Sequence, residues 1–153
     1  MKIGFLLVFI LFVLGGCNHK NIIKSQSVKV VFKSKDLKIA DMGFLNLGDS
    51  YESLQVFSLS KVILEIQSDD ESICINKTCL DPKYFNKKFL SQNYKDSFMS
   101  NILRFSPIFE SKNISKNRNG FEQKFGSIVY KVDQKSLYFK DKKEKIFIRI
   151  DIL

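Results

Sequence analysis

The closing stretch KIFIRIDIL, residues 145–153, decides how the rest of the chain is read. Ile146, Ile148, Ile150 and Ile152 recur at every second position, and Phe147, Arg149 and Asp151 fill the gaps. Side chains of an extended strand alternate between two faces. The spacing therefore predicts a half-buried strand with a uniform isoleucine face and a mixed outer face. That isoleucine face needs an apolar layer to lie against, and the remaining sequence has to supply it.

Working back from the end, GSIVYKV and SLYF read as strands, separated from one another and from the closing strand by DQK and DKKEK. Strands also fill the first half of the chain. VKVVF begins at Val28, and DLKIADMGFLNLGDS alternates loosely, with Gly43 and Gly48 as breaks. LQVFSLS and KVILEIQ follow. In the latter, Val62, Leu64 and Ile66 share a face opposite Ile63, Glu65 and Gln67. SDDES reads as a turn. Links this short favour antiparallel neighbours.

Between the two runs of strands the period changes. Asp81-Pro82 starts a helix, with Asp as the N-cap and Pro at the first helical position. Tyr84, Phe85 and Phe89 suit one of its faces. A second helix is expected over 95–105, where Phe98, Ile102 and Phe105 stand at i, i+4 and i+7 beside Met99 and Leu103. Pro107 stops it. ESKNISKNRNG is polar and basic and reads as a loop. Segregated strands and helices give an α+β fold: a mainly antiparallel curved sheet or incomplete barrel, covered by two short helices.

Cys74 and Cys79 stand in CINKTC. With Asn76-Lys77 as a two-residue turn, Ile75 and Thr78 flank it and the two cysteines face each other across the hairpin. An exported chain meets oxidising conditions, so a disulfide is expected. The loop it closes is short, so the bridge should pin the hairpin more than stabilise the whole domain.

The reason to expect export lies in FLLVFILFVLGGCNHK, residues 5–20. The apolar run after Lys2 is too short to span a bilayer, which takes about 20 residues, and has the length of a signal h-region. Leu14-Gly15-Gly16-Cys17 resembles the lipobox of bacterial lipoproteins. The resemblance implies that residues 1–16 are removed and that Cys17 becomes an acylated first residue. Residues 17–27 are then a lipidated tether, and 28–153 form one β-rich periplasmic domain. Two or more acyl chains anchor stably. Asn18 is not the Asp that the family's sorting pattern uses for inner-membrane retention. The expected location is thus the outer membrane, facing the periplasm, with the inner membrane or the cell surface as alternatives.

The formal net charge is +9, and about +8 once Lys2 is removed with the signal. Nucleic acid is not an expected partner outside the cytoplasm, whereas anionic lipid or an acidic envelope protein suits such a surface. His19, the only histidine, falls in the tether. A tether cannot hold a base against a nucleophile, so no catalytic residues, metal site or cofactor are expected. Asp69-Asp70-Glu71 reads as a solvated turn because it lacks the spacing of a calcium loop.

The candidate binding residues come from FSPIF, residues 105–109, at the second helix's exit, and from the basic segment after it. Phe98, Ile102, Phe105, Ile108 and Phe109 beside Lys112, Lys116 and Arg118 would suit an acyl chain with an anionic head. Alternatively, the apolar members simply seal the barrel end. The order of elements over roughly 36–150 is similar to that of the lipoprotein-carrier family of the Lol system. That resemblance implies an incomplete barrel whose helices close an apolar cavity, and it carries over no individual residue. The expected function is a non-catalytic, lipid-anchored envelope protein that binds an apolar or anionic-lipid ligand or a lipoprotein. The alternative is a structural or assembly lipoprotein of an outer-membrane or appendage complex.

Overall fold

The computed structural model describes residues 21–153. The signal segment 1–16, Cys17 and His19 lie outside the described residues. Six strands come first: β1 (Ile22–Lys33), β2 (Lys38–Gly48), β3 (Tyr51–Ser58), β4 (Lys61–Asp69), β5 (Ile73–Ile75) and β6 (Thr78–Leu80). Two helices follow, α1 (Pro82–Phe89) and α2 (Phe98–Leu103), then a 3-10 turn at Phe109–Ser111. Five strands close the chain: β7 (Ile114–Asn117), β8 (Gly120–Phe125), β9 (Ile128–Asp133), β10 (Ser136–Asp141) and β11 (Ile146–Ile152). All eleven form one antiparallel sheet in the order β6-β5-β4-β3-β2-β1-β11-β10-β9-β8-β7. The two edge strands do not pair with each other, so the sheet stays open. This is the α+β curved sheet with two short helices that the sequence led us to expect.

The closing strand joins the two halves. β11 lies between β10 and β1, with Ile148 opposite both Phe139 and Phe32, and Ile150 opposite Leu137 and Val30. Ile146, Ile148 and Ile150 are buried and Ile152 is half-buried, whereas Arg149 is exposed on the other face. The inner face continues through Val28, Val30 and Phe32 of β1, Leu45, Leu54, Val56, Leu64 and Ile66 of β2–β4, and Tyr130 and Val132 of β9. Phe85 of α1 and Phe98, Met99, Ile102 and Leu103 of α2 fill the concavity.

The Cys hairpin forms in the expected register. Cys74 pairs with Cys79 and Ile75 with Thr78, and an S–S bond of 2.04 Å joins the cysteines. Asn76 and Lys77 both take positive φ, 46° and 71°, as a two-residue hairpin turn of this hand requires. Asp81 caps α1, accepting from the Lys83 and Tyr84 amides at 2.9 and 3.3 Å, with Pro82 at the first position. Asp69 makes the expected turn, its Oδ1 accepting from the amides of Glu71 and Ser72.

Several local expectations are corrected. β1 begins at Ile22, inside the expected tether, because residues 22–27 pair with the far end of β2. Gly43 is no break. It lies inside β2, where an added Cβ would sit 2.2 Å from the Gln55 carbonyl oxygen, so glycine is what lets β3 come this close. The expected loop over 110–120 contains β7, which pairs with β8, a strand the sequence reading did not assign. Ile114 is the only apolar residue in β7, so alternation gave no signal there. α2 is shorter than expected, with Arg104 as its C-cap. Phe105 follows with φ 55°, and the Ser106 amide donates to the Asn101 carbonyl at 2.9 Å. This is a Schellman ending, with Phe where glycine is usual. The helix thus stops ahead of Pro107. Tyr84, expected on the packed face of α1, is exposed.

Candidate functional site

The inner face of the sheet carries three buried carboxylate or amide side chains that stand in phase with apolar positions. Glu52 follows the phase of Leu54 and Val56, Gln123 that of Phe121 and Phe125, and Asp141 that of Leu137 and Phe139. All three are buried, at 2%, 0% and 3% exposure. A buried polar group needs a partner. In each case the partner belongs to the helical cover, residues 82–113, or to a loop beside it.

Gln123 clamps the cover's exit. Its Oε1 accepts from the Ile108 amide at 2.9 Å, and its Nε2 donates to the carbonyls of Ile108 at 3.0 Å and Lys112 at 2.7 Å. Tyr130 donates its hydroxyl to the Ser106 carbonyl at 2.9 Å. Asp141 accepts from the Tyr94 hydroxyl at 2.9 Å and from Ser127 Oγ at 2.6 Å. The Lys143 and Glu144 amides donate to it as well. Burial pushes the Asp141 carboxyl up, but these hydrogen bonds outweigh burial and hold it below the usual aspartate range. Burial also pushes the Tyr94 and Tyr130 hydroxyls far above their ordinary value, so both stay protonated donors. Glu52 pairs with Arg104 at the C-cap of α2, and Arg104 also donates to the carbonyls of Gly48 and Asp49. Within the cover, Asn86 donates to the Lys95 carbonyl at 2.9 Å.

Between these polar contacts lies an aromatic seam. Phe98 meets Tyr94, Phe139 and Phe109 with ring centroids 4.3, 5.1 and 6.0 Å apart. Phe109 meets Phe125 at 5.2 Å, and Phe121 meets Tyr130 at 5.6 Å. A cleft of about 410 Å³ opens where the cover reaches the β8–β9 and β10–β11 turns, lined by Tyr94, Phe109, Phe125, Ile128, Asp141 and Lys143 among others.

The expected binding residues divide into two groups. Phe98, Ile102 and Ile108 are fully buried against the sheet, and Phe105 and Phe109 are half-buried at the cover's exit. Lys112, Lys116 and Arg118 are exposed, and the latter two belong to the β7–β8 edge hairpin. Lys143, which the sequence reading did not single out, is the cation at the cleft. The inner-face residues Gln123, Asp141, Glu52 and Tyr130, and Tyr94 of the cover, were also missed. The signal for Gln123, Asp141 and Glu52 was a polar residue standing in the apolar phase of a strand.

The exit segment is strained. Phe105, Phe109, Glu110, Ser111 and Asn113 all take left-handed φ values between 49° and 61°. Each such non-glycine residue costs roughly 1–2 kcal/mol. No family model matches this chain, and no curated protein matches it. Among the described residues, no helix is long and apolar enough to cross a membrane.

Proposed function

We propose that this is a non-catalytic, lipid-anchored envelope protein that holds an acyl chain, or the acylated end of another lipoprotein, against the inner face of its sheet. One observation carries the proposal: a wide apolar concavity is closed by a short cover with a strained exit, held at its rim by polar side chains. A cover of this kind can leave as a unit, and the hydrogen-bonding groups it releases then meet water. The apolar face it uncovers is the surface an acyl chain seeks, at about 25 cal/mol per Å² buried. The cleft beside Phe109 and Phe125 is the entry. Such a lid-and-cup is also what the layout resemblance to the lipoprotein carriers of the Lol system implies. Acylation at Cys17 and placement at the outer membrane belong to the same proposal and rest on the lipobox.

The alternative, an assembly lipoprotein, draws on a different observation. The interior is filled by the protein's own side chains, and the outer face of β2–β4 exposes Met42, Phe44, Val62 and Ile63. Native mass spectrometry of protein extracted from membranes separates the two. A co-purifying lipid in addition to the covalent anchor supports carriage. Protein that is free of lipid, and takes none up from micelles, supports assembly.

A further inference from the structure

The outer face of β2–β4 is apolar at its end toward the β3–β4 turn, where a solvated sheet would be polar. Lys29, Met42, Phe57 and Val62 stand opposite one another across β1–β4. Phe44 lies one outward position along and meets Phe57 edge-on at 5.8 Å. Ile63 is the extra residue of the β3–β4 bulge. Met42, Phe44, Val62 and Ile63 are 41–49% exposed. Contiguous apolar surface of this kind marks an interaction site. Lys29 and Lys38 border it, both exposed. Glu65, the nearest outward carboxylate on β4, is engaged by Gln55 at 2.8 Å and Gln67 at 2.9 Å. On the other side, Asp151 faces Lys29 across β11 and is held by Arg149 at 2.8 Å.

Two further facts select the occupant. Because β1 starts at Ile22, only five residue steps separate it from Cys17, a reach of about 18 Å at most. An acylated Cys17 therefore holds the domain against the bilayer. Among the described residues, the end of the sheet nearest the anchor carries exposed Asp49, Asp70 and Glu71, with the exposed Lys24 and the half-exposed Arg104 as the cations close by. An anionic surface repels such an end and attracts the lysine-bordered face. That face begins about 23 Å along β1 from Ile22, so the domain reaches the bilayer with it by lying down.

We propose that the outer face of β2–β4 rests on the anionic bilayer that anchors the chain, with Met42, Phe44, Val62 and Ile63 in the interfacial layer and Lys29 and Lys38 on lipid headgroups. This rests on acylation of Cys17. It leaves the cover and the cleft beside Phe109 facing away from that membrane, open to a lipid arriving through the periplasm.

The test uses the full lipidated chain in vesicles of phosphatidylethanolamine and phosphatidylglycerol. An environment-sensitive fluorophore is placed at Met42→Cys or, on the opposite side, at Lys87→Cys. The label at position 42 should shift to the blue and lose most of its emission when the lipids are brominated, and both effects should weaken without phosphatidylglycerol. The label at position 87 should do neither. Vesicle-bound protein with an unquenched label at position 42 overturns the proposal while leaving the anchor intact. So does a blue shift without lipid that fades on dilution, which marks an interface between copies. Protein that fails to float with vesicles at all removes the anchor, and this proposal with it.

Discussion

Replacing Gln123 with leucine should loosen the cover while leaving the sheet in place. Leucine is close to glutamine in volume, so the change adds little overpacking or cavity. It leaves the Ile108 amide and carbonyl and the Lys112 carbonyl without the partner that now serves all three. Lys112 is exposed and its carbonyl can turn to water, but Ile108 is fully buried. Each buried polar group left unpaired costs about 1–3 kcal/mol. The Ile108 carbonyl keeps the Ser111 amide, 3.1 Å away, so the Ile108 amide alone places the penalty near 1–3 kcal/mol. The exit segment need not bear all of it, because by swinging outward it hydrates those groups. The variant should therefore show a local change first. Amide exchange over 105–113 should accelerate by orders of magnitude, with β1, β10 and β11 little altered, and the urea midpoint should fall. Gln67→Leu is the control: its side chain lies on the outer face and bonds Glu65 alone, so the loss should stay under about 1 kcal/mol. Equal losses in the two variants, or undiminished protection at Ile108, would refute the claim that Gln123 holds the cover shut.

Other consequences follow from the same geometry. Ile148→Asp places a carboxylate among Phe32, Phe139 and the cover, and should cost several kcal/mol in urea melts. Arg149→Asp, on the exposed face, should cost under about 1 kcal/mol. Asp141 has a depressed folded-state pKa, so its contribution is present above the unfolded aspartate value of about 3.9 and is lost as pH falls through the lower folded value. Thermal melts should thus show stability dropping below about pH 4, and Asp141→Asn should be weaker at neutral pH with a flatter acid limb. An acid limb unchanged by the substitution would assign that drop to other carboxylates. Cys17→Ala should abolish incorporation of a palmitate analogue, and label retained in that variant would sink the anchor.

Much of this architecture was legible because it depends on period and on local turn chemistry. The isoleucines of β11, the Asn76-Lys77 turn that brings Cys74 against Cys79, and the Asp81-Pro82 start of α1 are each specified by neighbours in sequence. What stayed hidden depends on partners far along the chain. β7 is held by β8 and has only one apolar residue of its own. The end of α2 is set by a left-handed Phe105, a conformation that phenylalanine does not advertise. At the candidate site, the buried aromatic members were readable from helical spacing. The expected grouping of Lys116 and Arg118 with them failed because those residues turn away on an edge hairpin, and Lys143 arrives at the cleft from the β10–β11 turn. Gln123 and Asp141 looked like ordinary polar residues until their strand phase placed them inward.

The central claim is that an acyl chain can occupy the space between the sheet and its cover. A palmitate analogue carrying a photoreactive group at its methyl end tests it most directly, with adducts mapped by mass spectrometry after irradiation of the anchored protein. Saturable labelling is expected on inner-face residues such as Phe139 and Ile148 and on Phe98 and Ile102 of α2, competed by unlabelled palmitate and stronger in the Gln123→Leu variant. Labelling confined to Met42, Phe44 and Ile63 on the outer face, with none inside at saturation, would contradict it.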